Sequence, residues 1–209
     1  MTYRIKEIFF TQQGEGKNTG KDFIFVRFSG CNLWSGKEKN RASAICSFCD
    51  TDFYGTDGIN GGKYLAKELI EKIQSLWISA DSQIRVVLTG GEPLLQVDKP
   101  LIDALKNEDI YIAVETNGTL EAPDGIDWIC MSPKANTEIK LKKGSEVKVV
   151  YPQKNLNPDD FNVLDFKNFY IQPMDSQSYE DNVSQAVKYC MRNPNWKLSL
   201  QTHKILGIR

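Results

Sequence analysis

The sequence predicts an α/β fold in the form of a partial (incomplete) βα barrel. Short apolar, β-branched segments alternate with helical patterns, as expected for right-handed βαβ units around a parallel sheet. Several of the apolar segments are nearly continuous, as strands buried on both faces are. Eight βα units typically need about 250 residues, whereas this chain has 209. We therefore expect an incomplete barrel formed by one domain, residues 1–209.

Seven apolar segments are predicted strands, and DWICM (127–131) is interpreted in the same way. The seven are EIFFTQ (7–12), DFIFVRF (22–28), IRVVLTG (84–90), IYIAVET (110–116), EVKVVYP (146–152), FYIQPM (169–174) and KLSLQTH (197–203). Three helices are predicted by apolar residues that recur at helical spacing. They contain Leu65, Leu69, Ile73 and Leu76; Leu101, Ile102 and Leu105; and Val183, Ala186, Val187 and Cys190. Residues 30–62 have the composition of a loop.

The composition gives no indication of a nucleic-acid partner, a membrane span or a signal peptide. Lys plus Arg is 26 and Asp plus Glu is 27, a formal net charge of -1, so no basic excess indicates nucleic acid. No apolar stretch approaches the ~20 residues of a membrane span, and MTYRIKEIFF lacks the pattern of a signal peptide. We expect a cytoplasmic protein, in which thiols stay reduced and clustered cysteines indicate metal binding or catalysis.

Polar and reactive residue types follow the predicted strands. These positions are Gly30 and Cys31, Thr89 to Pro93, Glu115 to Gly118, Ser132 to Lys134, Gln172 to Asp175, and His203. In parallel α/β folds, sites form at the carboxyl ends of the strands. The pattern therefore predicts one functional site at that edge of the sheet.

Three of the five cysteines, Cys31, Cys46 and Cys49, have the spacing C-x14-C-x2-C. A structural zinc ion bound by these thiols and His203, the only histidine, is one interpretation. An iron–sulfur cluster bound by three thiolates is another, and it leaves one iron open to a ligand. The cysteines alone do not decide between them. A thioredoxin-like pair is disfavoured because CSFC does not open a helix after a first strand. Cys130 and Cys190 lie in strand and helix patterns typical of core residues.

The second motif, TGGEP (Thr89–Pro93), follows a predicted strand. Its glycines allow close approach of backbone to a ligand, and Glu92 offers a carboxylate for an ammonium group. Together with the cysteines, TGGEP resembles the radical S-adenosylmethionine (SAM) superfamily. The resemblance implies a [4Fe–4S] cluster on the three cysteines, SAM on the open iron, Glu92 at the SAM ammonium and Phe48 near the adenine. It also implies cleavage of SAM to a 5′-deoxyadenosyl radical that abstracts hydrogen from the substrate.

The opening EIFFTQQGEGKNTGKDFIFVRFSGCNLW is more specific. With CDTD, TGGEP, ETNG, SPK, QPMD and QTHK, it resembles the 7-carboxy-7-deazaguanine synthase family over nearly the whole chain. The resemblance implies conversion of 6-carboxy-5,6,7,8-tetrahydropterin to 7-carboxy-7-deazaguanine, with loss of ammonia and ring contraction, in queuosine and 7-deazapurine biosynthesis. A radical-generating activase for a protein substrate and a non-catalytic zinc-binding module are the alternatives.

The resemblance also implies roles for individual residues. Thr51 would bind Mg²⁺, a cation that prefers oxygen ligands. The SAM pocket would include Asp50, Asn117, Ser132, Lys134, Gln172 and Asp175. The pterin substrate would contact Gln12, Gln13, Gly14, Glu15, Arg27, Gly90, His203 and Arg209. From the residues alone, Arg27 in an apolar strand requires a partner, either a substrate carboxylate or an internal ion pair, and the remaining polar residues are compatible with turns and strand-end caps.

The long loop distinguishes this chain from the common radical SAM spacing C-x3-C-x2-C. Residues 32–45 separate the first two ligands, and we expect a helix around Lys37–Ala44 within them. We expect the length of this loop to influence which electron donor, such as a flavodoxin or a ferredoxin, delivers the electron to this chain. A symmetric homodimer is the expected assembly of a short partial barrel with exposed edges.

Overall fold

The computed structural model describes residues 1–209, and all nine strands belong to one sheet. The strands are β1 (Tyr3–Gln12), β2 (Asp22–Phe28), β3 (Gly62–Tyr64), β4 (Arg85–Gly90), β5 (Tyr111–Thr116), β6 (Trp128–Met131), β7 (Lys143–Tyr151), β8 (Asp165–Pro173) and β9 (Trp196–Leu198). The α-helices are α1 (Ala66–Leu76), α2 (Lys99–Asn107), α3 (Tyr179–Arg192) and α4 (Thr202–Leu206). Short 3-10 helices cover Gly16–Asn18, Glu38–Ser43, Pro93–Leu95 and Pro158–Phe161.

The sheet is open, which confirms the predicted partial barrel. Its spatial order is β3-β1-β2-β4-β5-β6-β7-β8-β9, and β3 and β9 at the two ends do not pair. From β2 to β9 every neighbouring pair is parallel. This brings the carboxyl ends of seven strands to one edge.

The parallel arrangement expected from the βαβ units does not extend to β1. β1 pairs antiparallel with both β2 and β3. Only residues 13–21 connect β1 to β2, and a parallel crossover needs a dozen or more residues. The antiparallel arrangement places the QQGEG segment, at the end of β1, beside the chain that enters β2.

Alternation along the strands separates the core from the site. In β2, Ile24, Val26 and Phe28 are fully buried and pack in the main hydrophobic cluster with α1 and α2. The intervening Phe25 and Arg27 line the cavity described below. Successive side chains of a strand point to opposite faces, so this alternation explains how a charged residue lies within an apolar segment. A second cluster joins β6, β7 and β8 to α3.

Three other predictions need correction. The strand predicted over 197–203 ends at Leu198, and His203 lies in α4, because the Thr202 N–H donates to the Gly14 carbonyl instead of continuing along β8. The helix expected around Lys37–Ala44 is a 3-10 helix over Glu38–Ser43. Gly62, the last residue of the segment 30–62 predicted as loop, begins the short edge strand β3. The three predicted helices correspond to α1, α2 and α3, and no α-helix connects β5 to β6, β6 to β7 or β7 to β8.

None of the helices combines the length and apolar composition that crossing a membrane requires.

Asp98 links α2 to β1, and its loss should destabilise the fold. Its carboxylate caps α2 by accepting from the Leu101 N–H (3.0 Å) and also accepts from the Tyr3 hydroxyl (2.7 Å). We expect Asp98→Ala to lower the free energy of unfolding by about 1–3 kcal/mol, since a cap is lost and a buried hydroxyl loses its acceptor. Urea denaturation measures the change.

The matched control is Asp103→Ala on the same helix. Asp103 pairs with Lys99, and both side chains are half exposed. We expect a loss below about 0.5 kcal/mol because exposed ion pairs contribute little. Equal losses for the two variants would contradict the importance of the Asp98 contacts.

Candidate active site

A cavity of about 350 Å³ lies at the carboxyl ends of the strands, within the usual size range of small-molecule sites. Every predicted site residue except Glu92 lines it. These are Gln12, Gln13, Gly14, Glu15, Arg27, Cys31, Cys46, Phe48, Cys49, Asp50, Thr51, Gly90, Asn117, Ser132, Lys134, Gln172, Asp175, His203 and Arg209. The strand-end pattern therefore identified residues that lie around one cavity although they are up to about two hundred positions apart in the sequence. Their individual roles stay predictions.

The three clustered cysteines lie on one side of this cavity as free thiols. Cys46 is buried and hydrogen-bonded to Cys49, and this bond lowers the pKa of the Cys49 thiol to about 6. The pKa of the Cys31 thiol is raised by burial. A thiolate is the form that binds metal, and Cys49 reaches it most readily.

Arg41 holds the long cysteine loop in place. One terminal nitrogen of its guanidinium donates to the carbonyls of Ser47 (3.0 Å) and Cys49 (2.9 Å). Its Nε pairs with Glu38 at 2.8 Å, and its Cζ lies 4.1 Å from the centre of the Trp34 ring. The 3-10 helix at 38–43 is thus tied to the segment that carries the second and third cysteines.

The TGGEP segment packs directly on the first cysteine. The Gly91 N–H donates to the Phe28 carbonyl (3.2 Å), and the Glu92 N–H donates to the Gly30 carbonyl (2.9 Å). A Cβ on Gly91 would overlap the backbone of Gly30 and lie 2.9 Å from the Cβ of Cys31. Only glycine permits this approach, and it fixes the end of β4 against the start of the cysteine loop.

Glu92 is fully buried behind the cavity wall. Its carboxylate accepts from the Leu94 N–H (3.0 Å), the Thr116 hydroxyl (2.7 Å) and the Asn117 N–H (2.7 Å). Burial raises the pKa of the Glu92 carboxyl group, although these three hydrogen bonds act to lower it. The carboxylate therefore joins β4 to the end of β5, and it reaches the cavity through Thr116 and Asn117, which line it.

The QQGEG loop forms another part of the cavity wall. Gln13 donates to Glu115 at 2.8 Å, and Glu15 accepts from Gln172 (3.1 Å) and Gln201 (2.9 Å). A Cβ on Gly14 would overlap the imidazole of His203. The glycine therefore allows α4 to lie directly on the loop.

Arg27 has an internal partner. Its Nε pairs with Glu7 at 2.9 Å, and Glu7 also pairs with Arg209 at 3.1 Å. The ion-pair interpretation of Arg27 is thus observed, and its side chain still lines the cavity. The Arg209 carbonyl accepts from the Thr11 hydroxyl at 2.6 Å, so the last residue lies beside β1 at the edge of the cavity.

The predicted SAM-pocket residues also have internal partners. Lys134 donates to the Ser132 hydroxyl at 2.8 Å, and Asn117 donates to Asn32 at 2.9 Å. Lys204 links Asp50 (2.5 Å) to Asp175 (2.6 Å) and so connects the cysteine loop to the end of β8.

The chain was compared with curated proteins, solved structures and family models. It is 55% identical over 210 residues to the 7-carboxy-7-deazaguanine synthase of Bradyrhizobium diazoefficiens and 54% identical over 209 residues to that of Burkholderia multivorans, with 100% of each chain covered. The chain belongs to the 7-carboxy-7-deazaguanine synthase family. No family model matches it. "Crystal structure of QueE from Escherichia coli" matches its fold with a TM-score of 0.70 and 24% identity, covering 96% of this chain and 94% of that one.

Membership of the 7-carboxy-7-deazaguanine synthase family confirms the resemblance inferred from the motifs. It gives no support to the alternatives of an activase or a zinc-binding module. No three His, Cys, Asp or Glu side chains converge to hold a single metal ion. This separation is compatible with a cluster, because a [4Fe–4S] cluster receives each thiolate on a different iron.

Sequence reasoning overlooked Lys148, Glu7 and Lys204 as members of the site, and it placed Glu115 at a predicted strand end without giving it a role. All four line the cavity and pair with predicted site residues. Lys148 carried a usable signal, since it is a charge within the apolar segment EVKVVYP, the same signal that singled out Arg27. Glu7 begins a predicted strand and Lys204 lies in a polar segment, and nothing in their spacing distinguishes these two residues.

Arg41→Ala should loosen the cysteine loop of this synthase-family chain. The substitution removes the donor that joins residues 38–43 to Ser47 and Cys49. We expect faster limited proteolysis within residues 36–50 and less iron retained after anaerobic reconstitution. Lys39→Ala, at an exposed position of the same 3-10 helix without a side-chain partner, is the control. Wild-type proteolysis and iron content in Arg41→Ala would contradict this role.

Proposed function

We propose that this chain converts 6-carboxy-5,6,7,8-tetrahydropterin to 7-carboxy-7-deazaguanine with loss of ammonia, as a radical SAM lyase in queuosine and 7-deazapurine biosynthesis. Full-length identity of 47–55% to relatives named 7-carboxy-7-deazaguanine synthase supports the proposal. The observation that carries it within this molecule is the cavity described above. It joins the cysteine loop, the TGGEP strand end and the QQGEG loop, so cofactor and substrate elements face the same space.

The donor set fits the cofactors of the family, an iron–sulfur cluster and SAM. Cys31, Cys46 and Cys49 would hold the cluster, and three thiolates leave one iron for SAM. When bound, the two cofactors supply the one-electron chemistry that abstracts a hydrogen atom from the substrate. The chain itself binds and orients the substrate and excludes water from the cavity. Leu33 and Trp34 contribute to this exclusion, since both are buried and line the wall near Cys31.

The strand ends beside the cysteines suit the polar groups of SAM. Glu92 would favour the SAM ammonium group through its negative charge and through the orientation it gives to Thr116 and Asn117. Ser132, Lys134, Gln172 and Asp175 supply further donors and acceptors from β6 and β8, and Phe48 offers an apolar face next to Cys49. We assign these residues, with Asp50, to cofactor binding.

We assign Thr51 to a magnesium ion. Thr51 lies two residues after Cys49 and lines the cavity that the cofactor and substrate elements share. Magnesium binds oxygen ligands and retains waters, so a threonine hydroxyl and substrate oxygens form a suitable set. Gln12, Gln13, Gly14, Glu15, Arg27, Gly90, His203 and Arg209 would contact the substrate.

We further infer a cytoplasmic enzyme that acts as a homodimer and receives its electron from a flavodoxin or a ferredoxin. The sheet has two edges, β3 and β9, and edges that remain unpaired favour assembly. The continuous sheet supports the assignment of residues 1–209 to one domain with a cluster-binding loop at 30–55.

Product formation tests the proposal directly. The protein is reconstituted anaerobically with iron and sulfide, then given dithionite, SAM, magnesium and 6-carboxytetrahydropterin. We expect mass spectrometry to detect 7-carboxy-7-deazaguanine and expect its rate to fall when magnesium is omitted. Cleavage of SAM without this product would reject the substrate assignment, and an undiminished rate without magnesium would reject the role of Thr51.

Glu92→Gln should weaken SAM binding while the cluster is retained. The variant loses the negative charge. It also directs an amide N–H₂ group toward backbone N–H donors, which in the wild-type protein donate to the Glu92 carboxylate. Loss of one charge-assisted hydrogen bond corresponds to roughly tenfold to hundredfold weaker binding. Equilibrium titration with SAM and iron analysis measure both quantities. The exposed Glu121→Gln is the control, and unchanged SAM affinity in Glu92→Gln would contradict the assignment.

A further inference from the structure

Lys148 is a buried cation on the wall of the cavity. It lies in β7 between Val147 and Val149, both fully buried in the hydrophobic core. Strand alternation turns its side chain to the cavity face, where only 4% of that side chain is exposed. Its ammonium group is hydrogen-bonded to Glu15, and its distance to Glu115 is 3.5 Å.

Each carboxylate that pairs with Lys148 is also held by side-chain amides. Gln13 donates to Oε1 of Glu115 at 2.8 Å. Gln172 and Gln201 donate to Oε1 of Glu15 at 3.1 and 2.9 Å. Both carboxylate side chains keep some exposure, 14% for Glu15 and 23% for Glu115. They therefore form a fixed pair of acceptors that the cavity can reach.

The charges explain why the pair requires a cation. Burial opposes the charge of Lys148, but attraction to Glu115 and Glu15 outweighs burial and raises the lysine pKa. Burial would likewise raise the pKa of Glu15, but the Lys148 cation outweighs it and the pKa of Glu15 is lowered. The other titratable groups that face this pair come from three elements and are Cys130 in β6, Glu146 in β7 and His203 in α4.

We propose that Lys148 is a positioning residue, which holds Glu15 and Glu115 side by side as an anionic pair that accepts hydrogen bonds from the N–H edge of the substrate. The proposal rests on the proposed function, because the amino-pyrimidinone ring of a pterin presents adjacent N–H donors. Two neighbouring carboxylates without a cation would repel each other, and one would take up a proton. A protonated carboxyl group offers a donor to the substrate donors, so binding would weaken.

Lys148→Met tests the role at nearly constant side-chain volume. Without the cation, burial dominates and Glu15 binds a proton at higher pH. We expect the KM for 6-carboxytetrahydropterin to rise on the order of tenfold to a hundredfold at pH 7, with the larger part of the loss in KM rather than kcat. The acid limb of the kcat/KM profile should move to higher pH, and SAM binding should persist. An unchanged KM and pH profile would overturn the proposal.

Lys6→Met is the matched control. Lys6 is another buried lysine that pairs with two carboxylates, but Asp52 and Asp57 are 73% and 82% exposed, and Lys6 itself does not line the cavity. It should lower stability without moving the acid limb, because water replaces the lysine at exposed carboxylates. A shift of equal size in the control would mean that the Lys148→Met effect is structural, and it would overturn the positioning role.

A measurement on the wild-type protein covers the case in which Lys148→Met does not fold. The protein is labelled with ¹³C at the glutamate carboxyl groups, and the Glu15 signal is assigned by its loss in Glu15→Gln. We expect this signal not to titrate between pH 8 and about pH 5, since the cation keeps Glu15 ionised. A titration midpoint of the Glu15 carboxyl group above about pH 5 would overturn the proposal. The result is independent of turnover, so failure of wild-type product formation would reject the proposed function alone.

Discussion

The buried carboxylate of Glu92 is the constraint on which the site depends. It follows β4, yet its hydrogen bonds reach Thr116 and Asn117 at the end of β5, while its own N–H is bonded to Gly30 at the end of β2. Three adjacent strand ends are therefore fixed relative to one another at a single residue. Because a buried carboxylate without donors is strongly unfavourable, this arrangement allows little local adjustment. Cys31 leaves the sheet from this fixed point, so the first cysteine has a defined position before any cofactor binds.

The remaining walls of the cavity are organised by ion pairs whose charges are mostly buried. Lys148 pairs with Glu15, from the loop after β1, and with Glu115, at the end of β5. Glu7 pairs with both Arg27 and Arg209. Removing one partner from such a group costs more than the group contributes as a whole, because the other charge is left unpaired. These contacts set the shape and polarity of the cavity. They give the cavity a pattern of charges and hydrogen-bonding groups that the carboxylated pterin proposed as its substrate would match.

Much of this arrangement was predictable because it follows from local patterns. The apolar segments identified the strands that form the sheet from β2 to β8, and residue types at the strand ends identified the cavity. The positions of Lys148 and of α4 were not predictable in the same way. Lys148 and Glu15 are 133 residues apart, and their pairing depends on the antiparallel entry of β1, which no single segment encodes. α4 begins within KLSLQTH, a segment predicted as a strand. Thr202, the first residue of α4, donates its N–H to the Gly14 carbonyl rather than to β8.

The contact between α4 and the QQGEG loop joins the two ends of the chain across an open sheet. Thr202 is hydrogen-bonded to Gly14, and Thr11 to Arg209, so the final residues complete a wall that begins with the first strand. During synthesis on a ribosome, the cavity is finished only when these residues have emerged. For the same reason a purification tag attached after Arg209 would start at the cavity edge. A tag before Tyr3 would start at the far end of β1, roughly 30 Å away at about 3.4 Å per residue, and is the safer choice for biochemical work.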